Sequence, residues 1–324
     1  MTAETSPRPS AAAPEIALPG RGPTSLWADA WRRLLRNRAA VVGMGFIGFM
    51  LFVAIFADLL APYPYWQQDI TNQFQPPSRE HLFGTDHLGR DVLSRLIYGA
   101  RVSMAVGFIV QGIIVLIGVP VGAIAGYFGG KIDQLLMRFV DVMYSFPDLL
   151  LIIIVMTALR AATGQENISG VLWLMARADD LFGGLLGVFI ALGLTSWLTV
   201  ARLVRGQVLS LKEREFVEAA RAIGAGHFRI IRAHLVPNTL APIIVAVTFG
   251  IPGTILTEAA LSFIGLGVKP PMPSWGLMIL DGYRAMRAYP HLLLFPAAAL
   301  SLTVLSYNFF GDGLRDALDP WMKQ

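Results

Sequence analysis

The sequence predicts an all-α integral membrane protein with six transmembrane helices, and three observations carry that prediction. Hydrophobic residues make up 55% of the 324 residues and charged residues 15%, with a mean hydropathy of +0.57, which is too apolar for a domain whose main solvent is water. The apolar residues gather into runs near the roughly 20 residues needed to cross a hydrocarbon core about 30 Å thick. Lys and Arg crowd alternate connections between these runs, as expected when basic loops stay on the cytoplasmic side.

The elements follow in order. Residues 1–24 hold Pro, Ala, Ser and Thr without the apolar block of a cleaved signal peptide, and are expected to form a disordered cytoplasmic tail. Ser25 is a candidate N-cap for an interfacial helix. Its Leu26, Trp27, Ala30, Trp31 and Leu34 share one side, and Arg32, Arg33, Arg36 and Arg38 crowd its end. The expected spans are 39–60, 102–127, 139–159, 181–203, 239–263 and 290–310. Asp141, Pro147 and Asp148 interrupt the third, so a short elbow followed by a span starting near Ser145 fits equally well. The chain therefore divides into the tail, a 25–100 segment with the interfacial helix, first span and an outer loop, and a 101–320 core of five helices.

Basic residues of 8–38, 131–138, 202–232 and 315–323 outnumber those of the alternate connections, although Arg90, Arg95 and Arg101 cluster against the trend. Both termini are then cytoplasmic, and so is 211–238. The outer connections 62–96 and 265–288 are long, with proline and aromatics in APYPYW, QPPSREHLFGTD and KPPMPSWG. They read as ordered loops that face a binding protein or cap the exit of a path.

Segment 211–238, LKEREFVEAARAIGAGHFRIIRAHLVPN, is charged and amphipathic between two apolar runs. Phe216, Ala220 and Ile223 recur on one helical face, and Phe228, Ile231 and Leu235 on a second. Gly224 and Gly226 sit between the faces, and Pro237 is expected to stop the second helix. Two short helices hinged at glycine form a docking element.

Glu218-Ala219-Ala220, three residues, Gly224, nine residues and then Pro237 resemble the EAA signature of ABC importer permeases, EAA-x3-G-x9-I-x-L-P, with His234 in place of Ile and Val236 in place of Leu. FGTDHLGRDVLSRLIYGARVS at 83–103, RFVDVMYSFPDLLL at 138–151 and LTEAALSFIGLGVKPPMPSWG at 256–276 resemble the dipeptide and oligopeptide branch, as the C-type permease of the pair. The resemblance implies a type I ABC importer permease fold in the bacterial inner membrane. It implies cytoplasmic coupling helices in which Glu218, Ala219, Ala220, Gly224, His234 and Pro237 meet an ATPase. The implied partners are a second homologous permease, two ATPase subunits, an extracytoplasmic substrate-binding protein and membrane lipid. Dipeptides, oligopeptides, and nickel or haem-related cargo are all carried by such permeases.

Other chemistry finds little footing. The chain has no cysteine, and its five histidines make neither HExxH nor an i, i+4 pair, so no thiolate or zinc site and no cofactor is expected. Asp86 and Asp91, each beside glycine, offer too few oxygens for calcium and read as turn and N-cap residues. Around Gly126–Lys131 a Walker A motif would need Gly at 125 and Ser or Thr at 132, where Ala125 and Ile132 stand; Gly265 and Gly267 lack a dinucleotide fingerprint. The chain is thus expected to hydrolyse no ATP itself. The pI near 9.5 suggests nucleic acid, but the basic residues flank apolar runs and make no basic face. An ion-coupled secondary carrier is the alternative, and it predicts charges inside the spans; Asp58, Asp141, Asp148 and Glu258 lie toward span ends, Glu258 being the candidate for substrate contact. A membrane-anchored enzyme would need a nucleophile and base that the sequence does not offer.

Overall fold

The structure is a computed structural model that describes residues 26–163 and 169–319; the expected tail and the Ser25 cap lie outside the described residues. Its helices are α1 Leu26–Leu34, α2 Arg38–Ile55, α3 Ala57–Leu60, α4 Val92–Phe128, α5 Gly130–Tyr144, α6 Asp148–Thr163, α7 Gly170–Leu181, α8 Leu186–Ser196, α9 Leu198–Leu211, α10 Glu215–Ala222, α11 His227–Arg229, α12 Leu240–Phe263, α13 Trp275–Ala285 and α14 His291–Leu318. Among the described residues no sheet forms; Thr85 and Asp91 make a single antiparallel bridge.

Five of the six expected passes are present with shifted ends, and the third is broken. Among the described residues five helical stretches are long and apolar enough to cross a membrane, and the pair α5 and α6 makes a sixth pass only with an 89° bend between them, which is the elbow that Pro147 allowed. The second pass starts ten residues earlier than its hydropathy suggested, because Asp91 caps α4 by accepting 2.7 Å hydrogen bonds from the Ser94 amide and hydroxyl. The fourth pass starts later, at Leu186, since Gly183 and Gly184 take positive φ and end the chain segment that α7 occupies. Neither α7 nor α13 was anticipated. Ser274 caps α13 with a 3.2 Å bond from the Leu277 amide.

Close packing centres on α4. A Cβ on Gly118 or Gly126 would stand 2.9 Å from the backbone oxygen of Trp197 or Arg205, and one on Gly122 would press on that of Ala201. Glycines four apart thus let α4 and α9 approach backbone to backbone, the small-residue contact through which membrane helices associate. Val106, Val110, Ile114, Val200, Val204 and Val208 fill the core around this seam. At α1 the expected single apolar side divides. Ala30 and Leu34 bury against Leu314, Ala317 and Leu318 of α14, while Trp27 and Trp31 stay exposed.

Candidate functional site

Segment 211–239 runs from the end of α9 to the start of α12. Arg214 precedes α10 in extended backbone, and Val217 and Ala220 of α10 are buried against the helical core. Fully burying one such valine stabilises the docked position by about 1.5–3 kcal/mol. The helix then ends in a Schellman turn: the Gly224 amide donates to the Arg221 carbonyl at 2.9 Å, and the Ala225 amide donates to the Ala220 carbonyl at 3.0 Å. Gly224 has φ of +82°, the left-handed backbone such a turn requires.

Beyond Gly226 the chain re-enters a helix as the short α11, a π-helical turn over Ile230–Leu235 and a 3-10 turn over Val236–Thr239 that leads into α12. Pro237 therefore does not stop the second helix. It sits in the first turn of the 3-10 segment, where its missing N–H costs no bond, and the helix continues into the span. His234 lies half-buried in the π turn, its carbonyl accepting a 2.6 Å bond from Asn238 Nδ2.

The faces also differ from the expected ones. Phe216, Ile223 and Phe228 were placed with Ala220, Ile231 and Leu235, but they are 40%, 86% and 73% exposed. Val217, Ala220, Ile230 and Leu235 are the residues turned inward. The segment carries two apolar stripes, one spent on its own body and one left open. Glu218 and Ala219 lie on the open side, and Gly224 is exposed there. The expected site residues Glu218, Ala219 and Gly224 thus share one outer surface, while Ala220 anchors the helix from below and His234 and Pro237 lie a turn or more further along the chain.

Contacts from the spans hold this segment and brace the helix that leads into it. Tyr127, near the end of α4, lies 2.8 Å from His227 Nδ1 through its hydroxyl, with the Arg221 guanidinium 5.8 Å from its ring centroid. Arg205 of α9 clasps Asp133 of α5 with Nε and Nη2 at 2.5 and 2.6 Å, and Arg202 reaches Asp141 at 2.6 Å over the Tyr144 ring. Forked pairs of this kind hold helix orientation as well as charge. Sequence reasoning missed Tyr127 and Arg205, which no local pattern distinguishes from ordinary end-of-span residues.

Between α4, α8, α9 and α12 lies a cleft of about 240 Å³ lined by Gln111, Ser196, Thr199, Gly250, Thr254 and Thr257. Gln111 Nε2 donates to Thr254 Oγ1 at 2.9 Å. Ile114, Leu192, Val200 and Ala246 complete the lining, so the wall is uncharged, with hydroxyls set among apolar side chains. Glu258 does not line it. Its side chain is fully buried, accepting a 2.6 Å bond from the Ser262 hydroxyl. Asp86 and Asp91 prove to be turn and cap residues: Asp86 accepts from the amides of Leu88 and Arg90 at 2.8 and 3.0 Å. Among the described residues no cluster of three or more metal-ligating side chains occurs.

Apolar helical passes around an uncharged cleft, with a charged loop held at one end, mark a multi-pass membrane protein. The chain belongs to the family of binding-protein-dependent transport system inner membrane components, which matches residues 118–324, and residues 25–77 match the N-terminal TM domain of oligopeptide transport permease C. It is 42% identical to the dipeptide transport system permease protein of Bacillus subtilis over 91% of this chain and 86% of that one. It is 43% identical to the oligopeptide transport system permease protein of Haemophilus influenzae over 94% and 91%. With the glutathione transport system permease protein of Escherichia coli the identity is 41% over 92% and 91%. Among solved structures it is similar to the methionine ABC transporter MetNI in an inward-facing conformation, with a TM-score of 0.49 and 21% identity over 70% of this chain and 97% of that one. Membership in this family displaces the ion-coupled carrier left open by the sequence.

Proposed function

We propose that this chain is one of two homologous permease subunits of an ATP-driven peptide importer in the bacterial plasma membrane, with both termini cytoplasmic. It lines half of the path with the Gln111–Thr254 cleft and receives substrate from an extracytoplasmic binding protein. Residues 101–320 supply the permease core, and residues 25–100 add the interfacial helix, first span and outer loop. Two separate ATPase subunits hydrolyse ATP, and the chain itself does no bond chemistry. Peptides are the proposed cargo because the relatives at about 40% identity are named for dipeptides, oligopeptides and glutathione.

One observation carries the coupling role: Phe216, Ile223 and Phe228 stand exposed beside Glu218 and Arg221, in a segment too charged to lie in lipid. Such a surface fits a groove on a partner protein. Glu218, Ala219, Ala220, Gly224, His234 and Pro237 form or support the element that docks there. Nucleotide-driven closure of the ATPases then moves α10 with α9, and through Tyr127 and His227 with α4, as one rigid body.

Because the chain lacks cysteine, Ala219→Cys gives a single reactive site. In the assembled complex it should cross-link to an ATPase subunit, and cells lacking the permease should regain uptake of labelled di- to pentapeptides when wild type is restored. Labelling of Ala219→Cys from outside intact cells would defeat both the orientation and the coupling role, and unchanged peptide uptake on deletion would defeat the cargo.

A further inference from the structure

At the end of the bundle opposite 211–239, the loop 69–91 folds back over the start of α4, α13 and the start of α14. Between them lies a cavity of about 210 Å³ whose walls include Phe74, Asp86, His87, Arg95, Asp281 and Arg284. Its polar groups do not balance. Asp86 serves two guanidinium groups at once, Arg90 Nε at 2.7 Å and Arg95 Nε at 3.4 Å. A second carboxylate, Asp281, stands 3.8 Å from Arg90 Nη2. Arg95 is only 1% exposed, its Nη1 has the Pro271 carbonyl at 3.4 Å, and its Nη2 has no hydrogen-bond partner.

A buried guanidinium with an unused donor costs stability until an acceptor reaches it. Arg284 adds a further cation at the wall. Burial pushes the Asp281 carboxyl above the usual carboxylate range against the pull of His87, Arg95 and Arg90. What is left over is one buried donor, Arg95 Nη2, beside the exposed guanidinium of Arg284. The planar, two-oxygen carboxylate matches the guanidinium fork better than a spherical halide. Exposed Leu82, Tyr283 and Met286 are carried by the same loop and helix, an apolar and aromatic setting of the kind found around charged anchors at protein interfaces.

We propose that this cavity takes the carboxylate of an Asp or Glu side chain of the docking substrate-binding protein, an inference that rests on the importer reading above. The test is capture of that binding protein by the whole transporter in lipid nanodiscs, read by interferometry. Wild-type capture comes first, and its absence would fault the importer reading itself, separately from this site. Arg284→Gln should weaken capture roughly fivefold, the scale of one interfacial charge contact. Arg287→Gln, on the next turn and outside the cavity, should stay within about twofold. Asp281→Asn should bind at least as tightly as wild type, because it removes the competing carboxylate. Sodium acetate should compete more strongly than sodium chloride at equal ionic strength. Arg284→Gln and Arg287→Gln behaving alike, with acetate no better than chloride, would show a hydrated cavity without a carboxylate ligand. A loss in Arg284→Gln seen only with a free-acid peptide loaded, and abolished when that peptide is C-terminally amidated, would assign the carboxylate to the cargo and overturn the proposal.

Discussion

Replacing Gly224 tests the docking element at its turn. No heavy atom lies within 4 Å of a Cβ built on Gly224, so a side chain there meets no clash, and the whole penalty comes from φ of +82°. Left-handed backbone costs a residue with a Cβ about 1–2 kcal/mol, more for a β-branched side chain and less for Asn. Both Schellman bonds, from Gly224 to Arg221 and from Ala225 to Ala220, depend on that conformation. A cost of about 1–2 kcal/mol lowers the ratio of correctly aimed to misaimed loops roughly five- to thirtyfold. The spans keep their own backbone bonds, so membrane insertion should not change. In proteoliposomes holding the full transporter, peptide uptake should therefore fall in the order Gly, Asn, Ala, Val, at constant abundance and with basal ATP hydrolysis no longer responsive to loaded binding protein. An order that followed side-chain volume, with Asn below Ala, would refute the reasoning, as would wild-type uptake in Gly224→Val.

Two further perturbations probe the ends of α4 and α13. Tyr127→Phe removes the 2.8 Å bond to His227 and leaves the ring contact, a loss of about 1 kcal/mol; hydrogen exchange at 224–232 should quicken roughly fivefold while α4 and α9 stay protected. Asp281 has a carboxyl raised by burial, so the stability it contributes is present at low pH and lost as pH rises through its folded value. Asp281→Asn should accordingly melt at a higher temperature than wild type at pH 7.5, with the gap closing near pH 4. A constant gap across that range would deny the titration.

Where the sequence was legible, the reason is thermodynamic. Long runs such as those inside α2, α12 and α14 must be helical to satisfy their backbone in lipid, whatever their partners. The first turns of α4 hid because Ser94, Arg95, Tyr98 and Arg101 lower the hydropathy there; Ser94 bonds Asp91, Arg95 pairs through Nε with Asp86, and Tyr98 and Arg101 find Asp58 and the Ala54 carbonyl in distant chain. The Asp91 cap was the available signal. At α10 the periodicity reported apolar positions without saying which stripe the body would claim. Val217 and Ala220 are taken by the core, and Phe216 and Ile223 are left exposed. The cleft was illegible for a different reason, since Gln111 and Thr254 are 143 residues apart and meet only through helix packing.

The two ends of the molecule are joined by one seam, and glycine spacing makes that seam testable. Arg95 stands at one end of α4 and Tyr127 at the other, while α9 runs from the cleft toward α10, so in the proposed coupling role motion of α10 would reach the membrane through the contact of α4 with α9. At Gly122 a Cβ would press on the Ala201 carbonyl oxygen and stand 2.9 Å from the Val204 Cβ, both fixed by helical backbone. Gly112 of the same helix and Gly206 of α9 have nothing within 4 Å of such a Cβ. Alanine is a better helix former than glycine by about 0.5–1 kcal/mol, so Gly112→Ala and Gly206→Ala should match or exceed wild type in thermal stability. Gly122→Ala gains the same propensity but forces the helices apart, and overpacking of a close contact costs typically about 1–3 kcal/mol. It should melt below wild type on fluorescence-detected gel filtration and lose uptake more steeply than abundance. If all three alanines behaved alike, helix propensity alone would govern these sites and α4 and α9 would not move as a unit.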